Sequence, residues 1–235
     1  MSYYSDNHLN DLIDTRKSTL AAGSRGGAAL ELDALTCVRS GRTLFSAVSR
    51  PIHWGELLHV KGANGAGKTS LLRMLCGLMA PAQGQVLWRG QSISARREAF
   101  GRELVYLGHA AALKDDLSPL ENLQAACLLA GQSVSTSDAR RALDDAGLQG
   151  HHGIPARKLS QGQRRRSALA RLVLPPARHA APLWILDEPF NALDAAATDW
   201  LAQQVRSQLL RGGVVVLTSH QDLALDAEAQ QVLEL

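Results

Sequence analysis

A glycine-rich stretch at 62–69, GANGAGKT, has the residue types and spacing of a phosphate-binding loop. It matches the pattern G-x-x-x-x-G-K-[ST] in full, after the apolar run ELLHV and before a predicted helix, which is the context the pattern requires. Glycines let the backbone turn with its N–H groups facing inward, and the positive end of the following helix adds to this anion cradle. The predicted nucleotide-binding residues are Gly62, Ala63, Asn64, Gly65, Ala66, Gly67, Lys68, Thr69 and Ser70.

A second set of residues has the chemistry of a site that hydrolyses a triphosphate. Lys68 can reach the β- and γ-phosphates, and the hydroxyl of Thr69 can ligate Mg²⁺. The apolar run LWIL at 183–186 leads into Asp187 and Glu188, at a strand end where open α/β sheets bind ligands. Asp187 would hold Mg²⁺ through water, and Glu188 would polarise the attacking water. An isolated Asp-Glu pair is more often a loop or a helix cap, so this prediction depends on the phosphate loop.

Strands and helices alternate along the chain, which is the pattern of an α/β fold. Short apolar runs, such as ELVYL at 103–107 and VVVLT at 214–218, predict strands of a parallel sheet that is buried on both faces. Ser118-Pro119-Leu120-Glu121 predicts a helix start, because it combines an N-cap serine, a proline at the first position and a glutamate at the third. Further helices are predicted at 137–146, 161–174 and 194–210.

These patterns predict one large domain at 30–235, with a helical subdomain at about 109–175 inserted between sheet strands. Residues 1–29 are polar and show no period, which predicts a flexible tail. No apolar run approaches the ~18 residues that span a bilayer, and no secretory signal is visible, so we expect no direct membrane span. The formal charge of +3 is too mild to indicate nucleic acid as a partner. Three separated cysteines predict core filling in a reduced, cytoplasmic chain.

The segment LSQGQ, which contains Ser160, Gln161, Gly162 and Gln163, is locally only a capping box at a helix start. Together with the phosphate loop and the Asp187-Glu188 strand end, it resembles the signature motif of ABC-type ATPases, and the resemblance runs from about Leu30 to the C-terminus. It implies a P-loop fold with a mostly parallel core sheet, an N-terminal antiparallel β region and an inserted helical subdomain. It also implies ATP as the substrate nucleotide and Mg²⁺ as its cofactor.

The same resemblance implies further site residues and a homodimer. Asp194 stands where the family's two ATPase domains sense each other, and His220 stands where it keeps a catalytic histidine that contacts the γ-phosphate. Domains of the family pair head to tail, so the signature would bind a nucleotide held by the partner's phosphate loop. One copy of each motif therefore implies that this chain dimerises to hydrolyse ATP.

Two family positions carry unusual residues here. Arg39 occupies the place where the family usually stacks an aromatic residue on adenine, and a guanidinium can stack on a base. Phe45 is the alternative for this contact, although a core position suits it better. His109 occupies the Q-loop position, where the family has a glutamine that touches Mg²⁺ or the attacking water. We expect a contact with the site there, and a buried core histidine is the alternative.

The segments YLGH, ALKDDLSPLENL and LSQGQRRRSALARL resemble those of one branch of the family in particular. This branch consists of the ATP-binding subunits of the cytochrome c maturation transporter, also called the heme exporter. This implies a CcmB-like permease and heme-handling subunits as partners, and a peripheral position on the cytoplasmic face of the bacterial inner membrane. Alternatives are an ABC ATPase for another cargo, a soluble non-transport ABC ATPase and a regulator without turnover.

The arginine run at 164–166 is predicted as a solvated helix face, and His151-His152 as an exposed loop pair.

Overall fold

A computed structural model describes residues 27–174, 182–219 and 230–235. Its strands are β1 (Leu30–Arg39), β2 (Arg42–Ile52), β3 (Leu57–Lys61), β4 (Gln83–Trp88), β5 (Gln91–Ser92), β6 (Leu104–Leu107), β7 (Leu183–Leu186), β8 (Val214–Thr218) and β9 (Gln230–Glu234). Its helices are α1 (Lys68–Leu75), α2 (Arg97–Arg102), α3 (Pro119–Leu129), α4 (Thr136–Asp145), α5 (Gln161–Leu169) and α6 (Ala195–Leu210). Strands and helices thus alternate as the apolar runs predict.

Two sheets make up the β part of the fold. The first is antiparallel, with the order β2-β1-β4-β5, and it comes mainly from the N-terminal third of the described chain. The second has the order β6-β7-β8-β3-β9, and all its pairs are parallel. The predicted class, a mostly parallel core sheet with an N-terminal antiparallel region, is confirmed.

The burial of these strands explains the pattern of apolar residues in their sequences. Every residue of β7 and β8 is buried, because helices cover both faces of the parallel sheet, so LWIL and VVVLT are unbroken apolar runs. In β1 the buried residues Leu30 and Leu32 alternate with less buried neighbours, as expected for a sheet with one face on the core. Ala29 is also buried, and its N–H donates to the Ile52 carbonyl, so pairing begins at the last residue of the predicted tail.

A helical region lies between β6 and β7. It holds α3, α4 and α5, two short 3-10 helices at Ala156–Lys158 and Ala170–Val173, and a small core of its own around Leu123, Leu143 and Leu148. These elements fall inside the predicted subdomain at about 109–175, whose limits stay a prediction.

Cys37, Cys76 and Cys127 are all buried, as predicted for core-filling thiols.

One predicted helix differs from the structure, and some short elements were not predicted. The helix predicted at 161–174 is α-helical only to Leu169 and then tightens into the 3-10 turn, because Leu174 precedes a proline and is extended at φ −60° and ψ 139°. Helix α2 and strand β9 were not predicted, since neither short segment has a clear period.

Within the described ranges, no helix is long and apolar enough to cross a membrane.

Candidate nucleotide site

The candidate site lies at one edge of the parallel sheet, where four strands end. Strand β3 runs into the phosphate loop, β6 leads to His109, β7 to Asp187 and Glu188, and β8 ends at Thr218. Because β6, β7, β8 and β3 are adjacent and parallel, their carboxyl ends meet in space, which is where open α/β sheets bind ligands. Sheet topology therefore brings together residues that are far apart in the sequence.

A cleft of about 740 Å³ opens at this edge. It collects most of the predicted residues, together with Ser40, Leu44 and Asn191, which sequence reasoning missed. Its lining consists of Arg39, Ser40, Leu44, Ala63, Asn64, Gly65, Gly67, Lys68, Thr69, Ser70, His109, Asp187, Glu188 and Asn191. Gly62 and Ala66 belong to the same loop and shape its backbone without appearing in this lining.

The phosphate loop depends on its glycines. Gly62 has φ 147° and Gly67 has φ 109°, both in the region that side chains disfavour. A Cβ on Gly67 would also lie 3.1 Å from the Phe45 ring. Gly67 directly precedes α1 and has no side chain with which to cap it, so the first N–H groups of the helix remain available to an anion.

Lys68 already lies across this loop. Its Nζ donates to the carbonyl oxygen of Gly62 at 2.7 Å and to that of Ala63 at 3.2 Å. The ammonium is therefore held at the mouth of the cradle, where the predicted contact with β- and γ-phosphates would form.

A chain of hydrogen bonds joins the ends of three elements. The Thr69 hydroxyl donates to Asp187 Oδ2 at 2.9 Å, and the Thr218 hydroxyl donates to Asp187 Oδ1 at 2.9 Å. The backbone N–H of Glu188 donates to Thr218 Oγ1 at 2.8 Å. Asp187, 2% exposed, is thus fixed on both oxygens, and the two predicted Mg²⁺ ligands, Thr69 and Asp187, stand side by side.

Glu188 is 7% exposed and has φ 48°, a left-handed conformation that is rare for a non-glycine residue. This turn ends β7 abruptly while keeping Glu188 in the lining of the cleft. Burial raises the pKa of the nearby Cys76 thiol, and the negative charge of Asp187 raises it further. Cys76 is therefore a packing residue rather than a nucleophile.

His109 follows β6 and lines the cleft with an exposed side chain, so the alternative of a buried core histidine is wrong. Arg39, at the end of β1, also lines the cleft and is exposed. Phe45 is buried against Gly67, which agrees with the core position that suits it better. The adenine contact of Arg39 stays a prediction, as does the catalytic contact of His109.

The signature residues lie on the helical side of the molecule, apart from the described lining of the cleft. Ser160 caps α5 in a full capping box with Gln163. The Gln163 amide donates to His151 Nε2 at 2.9 Å. A Cβ on Gly162 would lie 2.8 Å from the Ala192 carbonyl oxygen, so glycine is needed for this close approach.

Other predicted features have mixed outcomes. Asp194 is exposed and caps α6, since its Oδ1 accepts the Ala197 N–H at 2.9 Å; its dimer-sensing role stays a prediction. His220 lies outside the described residues. The pair His151 and His152 was predicted as exposed, but both are half-buried, and His152 Nε2 lies 2.8 Å from Asp144 Oδ1.

The prediction of a solvated arginine run is wrong for its middle residue. Arg165 is only 5% exposed and donates to backbone carbonyls that follow β6 and β7. Helical spacing carried the missing signal, because Arg165 stands four residues before the buried Leu169 and therefore on the same face of α5. Arg164 and Arg166 are half-buried and form ion pairs with Asp115 and Asp194.

Comparisons with known proteins agree with this geometry. The family model for ABC transporters matches residues 45–191. Among solved structures, an ATP-binding subunit of an ABC transporter is 25% identical, with a TM-score of 0.74 over 88% of this chain and 86% of that chain. The ATP-binding cassette MJ0796, solved as a post-hydrolysis dimer with ADP and Pi, is 20% identical with a TM-score of 0.74, covering 88% of this chain and 94% of that chain. The class is therefore clear: this is an ABC-type ATPase domain.

Curated relatives narrow the class. The cytochrome c biogenesis ATP-binding export protein CcmA of Dechloromonas aromatica is 50% identical over 88% of this chain and 99% of its own length. The protein of the same name from Pseudomonas aeruginosa is 49% identical over 83% of this chain and 95% of its own length. The chain belongs to the CcmA branch of the ABC transporter family.

Proposed function

We propose that this chain is the ATP-hydrolysing subunit of an ABC transporter in c-type cytochrome biogenesis, where it energises the export or handling of heme. The observation that carries the proposal is the 50% identity to a CcmA protein across 99% of that protein's length. The shared cassette fold alone comes with much lower identity, 20% in the case of MJ0796. Identity at this level over the whole relative supports a shared role as well as a shared fold.

Residues 62–70 would bind the phosphates of ATP through the loop N–H groups, the α1 N-terminus and the ammonium of Lys68. The donor set at Thr69 and Asp187 fits Mg²⁺, which is commonly held by one or two protein oxygens together with phosphate oxygens and water. Bound there, Mg²⁺ would neutralise negative charge on the triphosphate. Arg39, Ser40 and Leu44 also line the cleft and would be available to contact the base.

Glu188 would position and polarise the attacking water, because it is the carboxylate that lines the cleft next to Asp187. Asp187 is already engaged on both oxygens by Thr69 and Thr218, which leaves this role to Glu188. His109 would contact Mg²⁺ or the water from the end of β6, and His220 would contact the γ-phosphate as the family resemblance implies.

The signature would act on a second copy of the chain. Ser160 is exposed at the start of α5, outside the described lining of its own cleft, so a helix N-terminus and a hydroxyl are available to another molecule's γ-phosphate. The MJ0796 cassette was solved as a dimer with its hydrolysis products, which supports a head-to-tail homodimer here. ATP would close this dimer and hydrolysis would open it, with Asp194 sensing the partner.

The membrane partner would be a CcmB-like permease that works with heme-handling subunits. The chain would then sit peripherally on the cytoplasmic face of the bacterial inner membrane. Support for this comes from the curated relatives, which are named as export proteins of cytochrome c biogenesis.

Complementation tests the proposal. In a bacterium that lacks its own CcmA, the full chain should restore covalent heme in c-type cytochromes, measured by heme staining of membrane proteins. The Lys68→Ala variant, expressed at the same level, should not. From the complemented strain, the tagged chain should bring down a permease and a heme-handling subunit in detergent. Failure to restore c-type cytochromes, together with capture of an unrelated permease, would assign this ATPase to another cargo.

A further inference from the structure

Arg165, in the first turns of α5, is a buried arginine whose five N–H groups all meet backbone carbonyl oxygens. Nε donates to Pro189 at 3.2 Å, and Nη2 donates to Asp187 and Glu188, both at 2.8 Å. Nη1 donates to Gly108 at 2.9 Å and to His109 at 3.2 Å. These bonds use every donor that a guanidinium has.

The carbonyls belong to two separate segments of the nucleotide site. Three are consecutive, at 187–189, and enclose the turn where Glu188 has φ 48°. A left-handed conformation at a glutamate is strained, and it persists only when its surroundings hold it. Thr218 holds this turn from the β8 side through the Glu188 N–H, and Arg165 holds it from the helical side through the carbonyls.

The electrostatics suit this arrangement. Burial lowers the pKa of Arg165, while the charges of Asp187 and Glu188 raise it in opposition. An arginine starts so high that it stays charged at neutral pH. A fixed positive charge therefore lies behind the two carboxylates, with its donors directed at their backbone. The second segment, Gly108 and His109, is held by the same guanidinium.

We propose that Arg165 is a positioning residue for ATP hydrolysis, which holds the strained Glu188 turn and the His109 segment in one arrangement. Arg165 also lies in α5, the helix that Ser160 caps. It therefore links the proposed catalytic carboxylate of a chain to the signature residues that the same chain would offer to its partner. This inference rests on the proposed role of Glu188 as the catalytic carboxylate.

The test is steady-state ATPase kinetics on the complex that the tagged full chain brings down in detergent. Arg165→Lys keeps the charge but cannot reach both segments, and Arg165→Gln removes the charge. We expect kcat to fall about tenfold or more in both, while the dissociation constant for ATP changes less than about threefold, since the phosphate loop is untouched. Arg141→Gln, which removes an exposed arginine from α4, is the matched control and should keep kcat within about twofold.

A double-mutant cycle separates positioning from general damage. If Arg165 acts mainly through Glu188, then Arg165→Lys should lower the residual single-turnover rate of Glu188→Gln by much less than the roughly tenfold loss it causes in the unmodified chain. A full additional loss in that background would overturn the proposal. So would an unchanged kcat, or a fall in ATP binding that parallels the fall in kcat.

Two further outcomes are distinguishable. Should Arg165→Gln fail to fold, the lysine variant decides alone. If the unmodified complex does not hydrolyse ATP, the proposed function is wrong. If Glu188→Gln keeps full turnover, Glu188 is not the catalytic carboxylate. Either result also rejects the inference about Arg165.

Discussion

At the scale of single residues, the site depends on one strained position. A glutamate with φ 48° costs on the order of 1–3 kcal/mol relative to ordinary backbone. Hydrogen bonds from Arg165 to the Glu188 carbonyl and from the Glu188 N–H to Thr218 offset this cost. The strain has a benefit, because it ends β7 and keeps the carboxylate in the lining of the cleft.

Lys68→Ala should weaken ATP binding by about tenfold or more, because it removes a charge-assisted contact to phosphate. Equilibrium titration of the purified chain with ATP and Mg²⁺ measures this. Lys114→Ala, an exposed lysine outside the lining of the cleft, is the control and should bind ATP as the unmodified chain does. Equal affinity in Lys68→Ala would remove the lysine from the phosphate site.

The sequence predicts the residues of the site whose role follows from a local pattern. The loop at 62–69 and the Asp187-Glu188 strand end are both found at the cleft. Helical spacing indicates that Arg165 is buried, since it shares a face of α5 with Leu169. Its partners could not be predicted, because no sequence pattern records that this side chain would meet the backbone carbonyls of residues 108–109 and 187–189. The positions of Ser40 and Leu44 in the cleft likewise depend on how β1 and β2 are placed against the loop.

At the scale of elements, two helices begin with the same local device and use it differently. Ser118 and Ser160 each form a full capping box with the residue three positions on. Ser118 is buried in the helical region, while Ser160 is exposed. The sequence predicts both helix starts, but only the fold decides which one is available to a partner.

The α3 capping box should make stability depend on pH. The Ser118 backbone N–H and then its hydroxyl, both donating to the Glu121 carboxylate, lower the pKa of Glu121. The ionised carboxylate therefore stabilises the fold above its unfolded pKa of about 4.3, and this contribution is lost as pH falls through the lower folded pKa. Glutamine also suits this capping position but carries no charge.

We therefore expect the unmodified chain to be more stable than Glu121→Gln at neutral pH, with the difference shrinking below about pH 4.3. Urea unfolding midpoints of the two proteins across this range measure it. Parallel curves for Glu121→Gln and the unmodified chain would contradict the expectation.

At the scale of the whole molecule, the fold separates the phosphate loop from the signature residues that we propose complete the nucleotide site. The phosphate loop and Glu188 share one cleft, and the signature lies at the start of α5 on the helical side. This separation favours two copies arranged so that each supplies what the other's cleft lacks. Under the proposed function, ATP hydrolysis therefore requires the homodimer.

Glu188→Gln should bind ATP but leave it unhydrolysed, so the dimer should remain closed. Light scattering after size exclusion should show a larger dimer fraction with ATP and Mg²⁺ than without them. The double variant Lys68→Ala, Glu188→Gln serves as the control and should not respond to ATP. Full turnover in Glu188→Gln would assign the catalytic carboxylate to another residue.

The strand order of the parallel sheet has a consequence for how the chain is made. Strand β3 lies between β8 and β9, so Leu57 pairs with Val215 on one side and with Gln230 on the other. During synthesis, at about 5–20 residues per second, β3 leaves the ribosome on the order of ten seconds before either neighbour exists. An apolar strand with two open edges over that interval is prone to aggregation. We expect the nascent chain to need a chaperone until its last strands are made.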